Sequence, residues 1–337
     1  MAELPTPTLN DALAILRAAA EETRLRILAL LVEGELSVSD LTDILGQSQP
    51  RISRHLKLLV EAGLVERHRE GAWAFFRLID HGAAARVVRP VLEAIHRNDQ
   101  RLADDRARLA AVRAQRAQAA QSFFARLAPE WDRIRSLHAS EEKVEGAILE
   151  AIGGQPIRNL LDLGTGTGRM LQLLAPRASR AVGLDASHAM LSVARANLER
   201  AGLTRVELRQ GDIYAPPFGR DAFDFVLIHQ VLHYLDDPAR AIREAARLVA
   251  PGGRLLVIDF APHGLEFLRE RQAHRRLGFA REQVAGWLSE ADLDCTYTRE
   301  LAPPRRGEDQ LTVSLWLGQD RRTITDWPLA ASNREVA

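Results

Sequence analysis

A chain of 337 residues is about twice the length of one ordinary domain, so two domains are expected. Hydrophobic residues at 46% and charged residues at 27% exclude a collagenous, mucin-like or wholly disordered chain, and equal totals of 45 basic and 45 acidic side chains leave any nucleic-acid or membrane role to a local patch. The single cysteine, Cys295, excludes an internal disulfide and a Cys-based zinc site, and no metal centre is expected.

Residues 1–80 open the chain order. Thr23–Leu31 carries Leu25, Leu28 and Leu31 on one side of a helix. Even the run Leu25–Val32 is broken by Arg26 and falls short of the ~20 residues that span a bilayer. No charged-then-apolar leader precedes a cleavage site, so a cytoplasmic protein away from membranes is expected. Val38, Leu41, Ile44 and Leu45 predict a second helix with Ser37 as N-cap and Gly46 as stop. A third runs from Ser48 to Ala62, capped by Ser48, with Pro50 in its first turn and Ile52, Leu56 and Leu59 on one stripe. Arg54 and Lys57 point away from that stripe, and Arg51 and Ser53 flank it. Gly63 ends the helix, and Leu64–Arg69 with Trp73–Leu78 predict a hairpin turning at Glu70-Gly71, with Arg67, His68 and Arg69 near its tip. Helix, helix, helix, hairpin is the order of a winged helix-turn-helix.

Residues 51–77 hold six Arg or Lys against three Glu, so positive charge is confined to the third helix and the wing, where groove and phosphate contacts are made. The expected DNA contacts are Ser48, Gln49, Arg51, Ser53, Arg54 and Lys57, with Arg67 and Arg69 from the wing. His55 lies beside the apolar stripe and is either a packing residue or a further contact.

Residues 81–120 read as a helical connector rich in Ala and Arg. Val88, Ile95, Leu102 and Leu109 recur every seventh residue, Leu92 adds one intermediate position, and Asp99 and Arg106 break the series. The pattern fits either a helix packed on its own domain or a dimerisation helix, and Pro90 is expected to kink or restart it.

Residues 121–318 read as a second domain, in which residues 157–318 alternate strand-like runs (Asn159–Asp162, Arg180–Asp185, Arg205–Arg209, Phe223–Ile228, Gly253–Asp259) with helical patterns, which predicts a doubly wound parallel sheet. Residues 319–337 lose periodicity and read as a flexible tail. The first strand runs into Gly164-Thr165-Gly166-Thr167-Gly168 and a helix near Arg169, the strand, glycine loop and helix start of a cofactor cradle. Arg169 stands where the dinucleotide fingerprint has a third glycine. Asp185 ends the second strand, 21 residues after Gly164, where a carboxylate accepts from two ribose hydroxyls. Asp212, after Gly211, is placed to accept from an adenine amino group, and two acids disfavour a pyrophosphate cofactor and favour one carrying positive charge. His229, His233 and Tyr234 follow the fourth strand; His229 or His233 is a candidate general base, and His233 and Tyr234 equally fit helix packing.

Two resemblances add to this reading. Glu35–Leu41 (ELSVSDL), Ile52–Leu56 (ISRHL) and Glu61–Val65 (EAGLV) resemble the arsenic- and metal-responsive (ArsR/SmtB) repressor family of bacteria, which implies a dimeric winged helix-turn-helix on double-stranded operator DNA. Arsenic-sensing members carry Cys-Val-Cys where this chain has Ser37 and Ser39, and hydroxyls do not replace thiolates for a soft ion, so the signal must enter elsewhere. The C-terminal residues resemble class I S-adenosylmethionine-dependent methyltransferases: Gly164, Gly166 and Gly168 match the cofactor loop, Asp185 the ribose acid and Asp212-Ile213 the adenine pocket. With them, Asp162, Thr165, Ala186, Gly211 and His229 are expected around S-adenosylmethionine or, as an effector, S-adenosylhomocysteine. Pro251-Gly252-Gly253 resembles the turn before the fifth strand, Cys295–Leu301 and Leu311–Leu317 the reversed terminal hairpin, and Phe123-Phe124 through Trp131-Asp132 and Arg135 the lid of quinone-biosynthesis-type members. Pro216-Pro217-Phe218 lacks the Asp or Asn of a DNA-methylating motif and precedes the fourth strand, and one cysteine is too few for arsenite methylation. The fusion resembles bacterial regulators that respond to S-adenosylhomocysteine and control methionine-cycle genes. Its alternative is a small-molecule methyltransferase whose winged helix controls its own operon.

Overall fold

Short amphipathic helices at the start of the chain each bury one face, and none has enough apolar surface to be stable alone. They close together as α1 (Leu9–Ala19), α2 (Glu22–Val32), α3 (Val38–Leu45) and α4 (Gln49–Glu61), with β1 (Leu36–Ser37), β2 (Val65–Glu70) and β3 (Trp73–Leu78) forming a small antiparallel sheet in the order β1-β3-β2. The computed structural model describes residues 7–70, 73–79, 82–95, 99–128, 141–203, 205–303 and 311–322. Ile27, Leu28, Leu41, Ile44, Ile52, Leu56 and Leu59 are fully buried in one core. Ser37 caps α3 through a reciprocal box: its Oγ accepts from the Asp40 N–H at 3.2 Å, and the Asp40 carboxylate accepts from the Ser37 N–H at 3.0 Å. Gly46 closes α3 in the left-handed region at φ 63°.

Ser48 departs from expectation. It occupies the N-cap position of α4, but its hydroxyl makes no capping bond. Pro50 removes one first-turn donor, and the Arg51 N–H is taken by the Ser48 carbonyl at 3.0 Å, so the hydroxyl has nothing to cap. The wing pairs Glu70 with Trp73, one residue beyond the expected turn at Glu70-Gly71.

The connector forms α5 (Gly82–Ala94) and α6 (Gln100–Leu127). Pro90 lies inside α5 and does not restart it, since a proline removes one backbone bond while Ala84, Ala85 and Val88 hold the helix by a buried face. Val88 and Leu109 are buried in the same core as α2 to α4, so packing on their own unit accounts for those two heptad positions. Arg26 of α2 donates through Nε and Nη2 to buried Asp105 of α6 at 2.7 and 2.8 Å.

The second fold is a seven-stranded sheet in the order β6-β5-β4-β7-β8-β10-β9. Its strands are β4 (Ile157–Leu163), β5 (Ala178–Asp185), β6 (Glu207–Gln210), β7 (Phe223–His229), β8 (Val249–Phe260), β9 (Leu293–Leu301) and β10 (Val313–Asp320). The β4 to β8 pairings are parallel, and β10 runs antiparallel between β8 and β9. The helices α7 (Glu141–Ile152), α8 (Arg169–Leu174), α9 (His188–Arg200), α10 (Pro238–Leu248), α11 (Phe267–Gln272) and α12 (Arg281–Glu290) complete the chain. Pro251-Gly252-Gly253 falls inside the bounds of β8, where the register against β7 jumps from Phe223 opposite Val249 to Phe225 opposite Arg254 and Gly252 has φ 69°, so the chain turns there before the continuous pairing that starts at Arg254. β10 extends to Asp320, which takes residues 319 and 320 out of the expected tail.

The chain forms two compact units. One comprises Met1–Phe123 with Tyr234–Asp237 and Pro262–Gly278; the other comprises Phe124–His233, Pro238–Ala261 and Phe279–Ala337. Among the described residues no helix is long and apolar enough to cross a membrane.

Candidate cofactor site and nucleic-acid interface

The glycine loop is pinned where β4 ends. The Leu184 carbonyl accepts from the N–H groups of Gly164 and Thr165 at 2.8 and 3.0 Å, and buried Asp162 accepts from the Thr165 hydroxyl at 2.7 Å. Gly164 has φ 75°, and a Cβ there would lie 2.5 Å from a Val231 methyl, so only glycine fits. The loop ends at Gly168, which leads into α8. Arg169, at the third-glycine position of a dinucleotide fingerprint, instead forms a two-point pair with Glu145 of α7 at 2.7 and 2.9 Å.

At the end of β5 the Asp185 carboxylate accepts from the Gly166 N–H through Oδ2 and from the Ser187 N–H through Oδ1, both at 2.8 Å. Burial pushes its carboxyl pKa up, against the lowering effect of those two donors. Each oxygen keeps a second lone pair, so the group is oriented and still able to accept from a diol. Ala186 is exposed beside it, and its carbonyl accepts from the Gln210 side chain at 3.1 Å. The Gly211 N–H donates to the Asp185 carbonyl at 3.0 Å, exposed Asp212 accepts from the Tyr214 N–H at 2.9 Å, and Ile213 is buried. Because β6, β5, β4 and β7 are neighbours, the loop, Asp185-Ala186, Gly211–Ile213 and half-buried His229 all lie along the carboxyl ends of adjacent strands, the edge where open parallel sheets bind ligands.

His233 is buried, and its Nδ1 is 2.7 Å from Oδ1 of fully buried Asp259 on β8. Sequence reasoning missed Asp259; an acid inside the apolar run Leu255–Phe260 is the signal that marks it. It also missed Ser187, whose hydroxyl caps α9 and whose N–H holds Asp185. Of the expected lid, Phe124 is half-buried, while the Phe123 side chain and residues 129–140 lie outside the described residues. Among the described residues no group of three or more His, Cys, Asp or Glu is placed to hold a metal.

In the winged-helix unit, Ser48, Gln49, Arg51, Ser53, Arg54 and Lys57 are all exposed along α4, opposite buried Ile52, Leu56 and Leu59. Arg67 is exposed on β2; Arg69 pairs with Ala74 through the backbone, and its side chain lies outside the described residues. His55 is separated from this face: it is 13% exposed, 3.5 Å from the Glu21 carboxylate, and burial pushes its imidazole pKa down. That is the environment of a packing residue.

Residues 21–67 match the family model for bacterial regulatory proteins of the arsR family, and residues 161–257 match that for a methyltransferase domain. The arsenical resistance operon repressor of Escherichia coli K12 is 56% identical over 63 residues, 18% of this chain and 54% of that one. The demethylmenaquinone methyltransferase of Thermus thermophilus is 38% identical over 145 residues, 42% of this chain and 65% of that one. The chain thus spans less than two thirds of the length of each of these relatives. The structure of the N-methyltransferase NodS from Bradyrhizobium japonicum WM9, in complex with S-adenosyl-L-homocysteine, is 20% identical and covers 55% of this chain and 89% of that one at a TM-score of 0.46. The chain therefore joins an arsR-type helix-turn-helix to a Rossmann-like methyltransferase fold.

Proposed function

We propose that the protein is a cytoplasmic, dimeric transcription regulator, acting as a repressor, that binds operator DNA through α4 and the wing and takes its signal from S-adenosylmethionine or S-adenosylhomocysteine in the methyltransferase domain. The observation that carries this reading is the path of the chain. Tyr234–Asp237 follows β7 and Pro262–Gly278 follows β8, and both segments fold as part of the winged-helix unit. The carboxyl ends of those strands form the ligand-binding edge of such a sheet, so a ligand there acts on the roots of segments that belong to the DNA reader. The glycine loop and the held Asp185 suit an adenosyl ribose, and the acids Asp162, Asp185 and Asp212 suit a sulfonium. Dimerisation is supported by Leu9, Leu13 and Leu16, which lie on one stripe of α1 and are 76%, 39% and 42% exposed. Methionine-cycle genes are a regulon suited to such an effector.

The test is fluorescence anisotropy with DNA upstream of the protein's own gene, with and without each ligand. Typical allosteric coupling changes affinity about 5- to 150-fold, and the demethylated product is expected to be the stronger effector. A change below about twofold with both ligands rejects this reading, since it is far below that range.

A second reading, methyl transfer to a small acceptor with the winged helix controlling its own operon, is favoured by the His233 and Asp259 pair, because an imidazole oriented by a buried carboxylate is a general base in waiting. S-adenosylmethionine supplies the methyl group when bound; His233 would take a proton from the acceptor, and Asp259 would hold the ring. Product formation with labelled cofactor across a metabolite panel that includes quinols tests it.

A further inference from the structure

The segment Pro262–Gly278 places two consecutive arginines on the part of the winged helix that starts its DNA-reading half. Arg276 is buried; its guanidinium donates to the Glu35 carboxylate at 2.8 Å and to the Asp236 carbonyl at 3.1 Å, and its centre lies 3.7 Å from the middle of the Phe75 ring. Arg275 donates to the fully buried Asp40 carboxylate at 2.9 Å and pairs with Asp236. Oδ2 of Asp40, the acceptor for Arg275, is also the atom that accepts from the Ser37 N–H in the α3 capping box. Phe75, under Arg276, is the β3 residue that pairs with Ser37 on one side and His68 of the wing on the other. The two arginines therefore bracket Glu35–Asp40 and touch the start of α3 and the β3 strand of the wing together. The β8 root of this segment is fixed: Asp259 holds the ring of His233, and His233 is the residue before Tyr234–Asp237.

Burying the charges of Glu35, Asp40 and Arg276, with Arg275 half-buried beside them, is a weak way to gain stability, because desolvation offsets most of the attraction. The best-attested use of buried ionic contacts is to fix a register or a switch state. We propose that Arg275 and Arg276 are the built-in input of this winged helix: they hold the Glu35–Asp40 segment, and with it α3 and the wing, in one of two DNA-binding states, and a ligand at the carboxyl ends of β7 and β8 acts by shifting how firmly they do so. The proposal rests on the effector reading above and names the residues through which it works. A ligand can bias the states only by its differential affinity for them, so removing the arginines must uncouple the two activities while leaving each in place.

The experiment compares wild type with Arg275→Ala/Arg276→Ala in three measurements: S-adenosylhomocysteine binding by calorimetry, operator affinity by anisotropy without ligand, and operator affinity with saturating S-adenosylhomocysteine. The double variant is expected to bind S-adenosylhomocysteine as wild type does, and to lose the ligand-induced shift of about fivefold or more to within about twofold. Arg276→Lys, which keeps the charge for Glu35 but not the planar stack on Phe75, is expected to fall between them. A double variant with the full wild-type shift overturns the relay and leaves the effector reading standing. If wild type shows no shift, the effector reading fails, and the relay is judged on ligand-free affinity: a change of about fivefold in the double variant supports it, and an unchanged affinity overturns it. Should the double variant not fold, Arg276→Lys and Arg275→Gln decide by the same readings.

Discussion

Asp185 has both carboxylate oxygens already committed to backbone donors, so its replacement removes an oriented acceptor and frees two N–H groups at once. Asp185→Ala is expected to weaken S-adenosylhomocysteine binding by about 1.5 to 3 kcal/mol, the scale of a hydrogen bond to a charged group, and calorimetry on folded protein checks it. Gly164→Ala should be harsher, since the new methyl meets Val231 at 2.5 Å on a backbone at φ 75°; loss of cofactor binding with a lowered melting temperature is the expected outcome. Residues of this kind are legible in sequence because their chemistry is local: a glycine triplet after an apolar run and an acid 21 positions on. Asp259 is marked only by its place in the apolar run Leu255–Phe260, and Arg275 and Arg276 are not legible in that way. The carboxylates that these two arginines meet stand 235 and 241 positions away, and nothing in the flanking residues announces a buried ion pair.

At the scale of elements, α4 presents Arg51, Arg54 and Lys57 to solvent along one face. If Arg54 and Lys57 neutralise phosphates, Arg54→Ala and Lys57→Ala should each flatten the slope of log K against log salt by about 0.9 on duplex DNA; unchanged slopes would place the phosphate contacts elsewhere. The connector is the element whose pattern was ambiguous, because seven-residue periodicity does not say which partner an apolar stripe faces. The answer lay in Asp105, an acid inside that pattern, which ties α6 to α2 through Arg26. Burial works to raise the Asp105 carboxyl pKa, but the donors Arg26 and Arg108 outweigh it and hold the pKa below the usual value. Its folded pKa is depressed, so its contribution to stability is present above the unfolded value of about 4 and is lost as pH falls through the folded value. Asp105→Ala should cost about 3 kcal/mol in urea unfolding at pH 7, the low end for breaking a buried pair, with the difference from wild type narrowing in acid.

At the scale of the whole molecule, a winged helix that reads an operator does so twice, with recognition helices about 34 Å apart on one face of the duplex, so binding strength depends on the dimer as much as on α4. Sequence periodicity leaves the connector open between a dimer element and a helix packed on its own domain, and Val88 and Leu109 are spent on the unit's own core. The apolar surface left over is on α1, where Thr8 caps the helix and Ile15 and Ala19 face inward while Leu9, Leu13 and Leu16 face out. Three exposed leucines on one stripe cost solubility unless a second copy covers them, and α1 packs against α5, which adds Val91 at 36% exposure. Leu13→Glu places a charge in the middle of that stripe without touching the core, the cofactor loop or α4. It is expected to convert a dimer to a monomer by sedimentation at micromolar concentration and to leave S-adenosylhomocysteine affinity unchanged. Operator affinity should fall by well over tenfold, because a monomer holds one half-site and loses the phosphate contacts of the other. A Leu13→Glu protein that stays dimeric would move the interface off α1, and one that is monomeric yet binds the operator with wild-type affinity would show that the regulator reads DNA as a single copy.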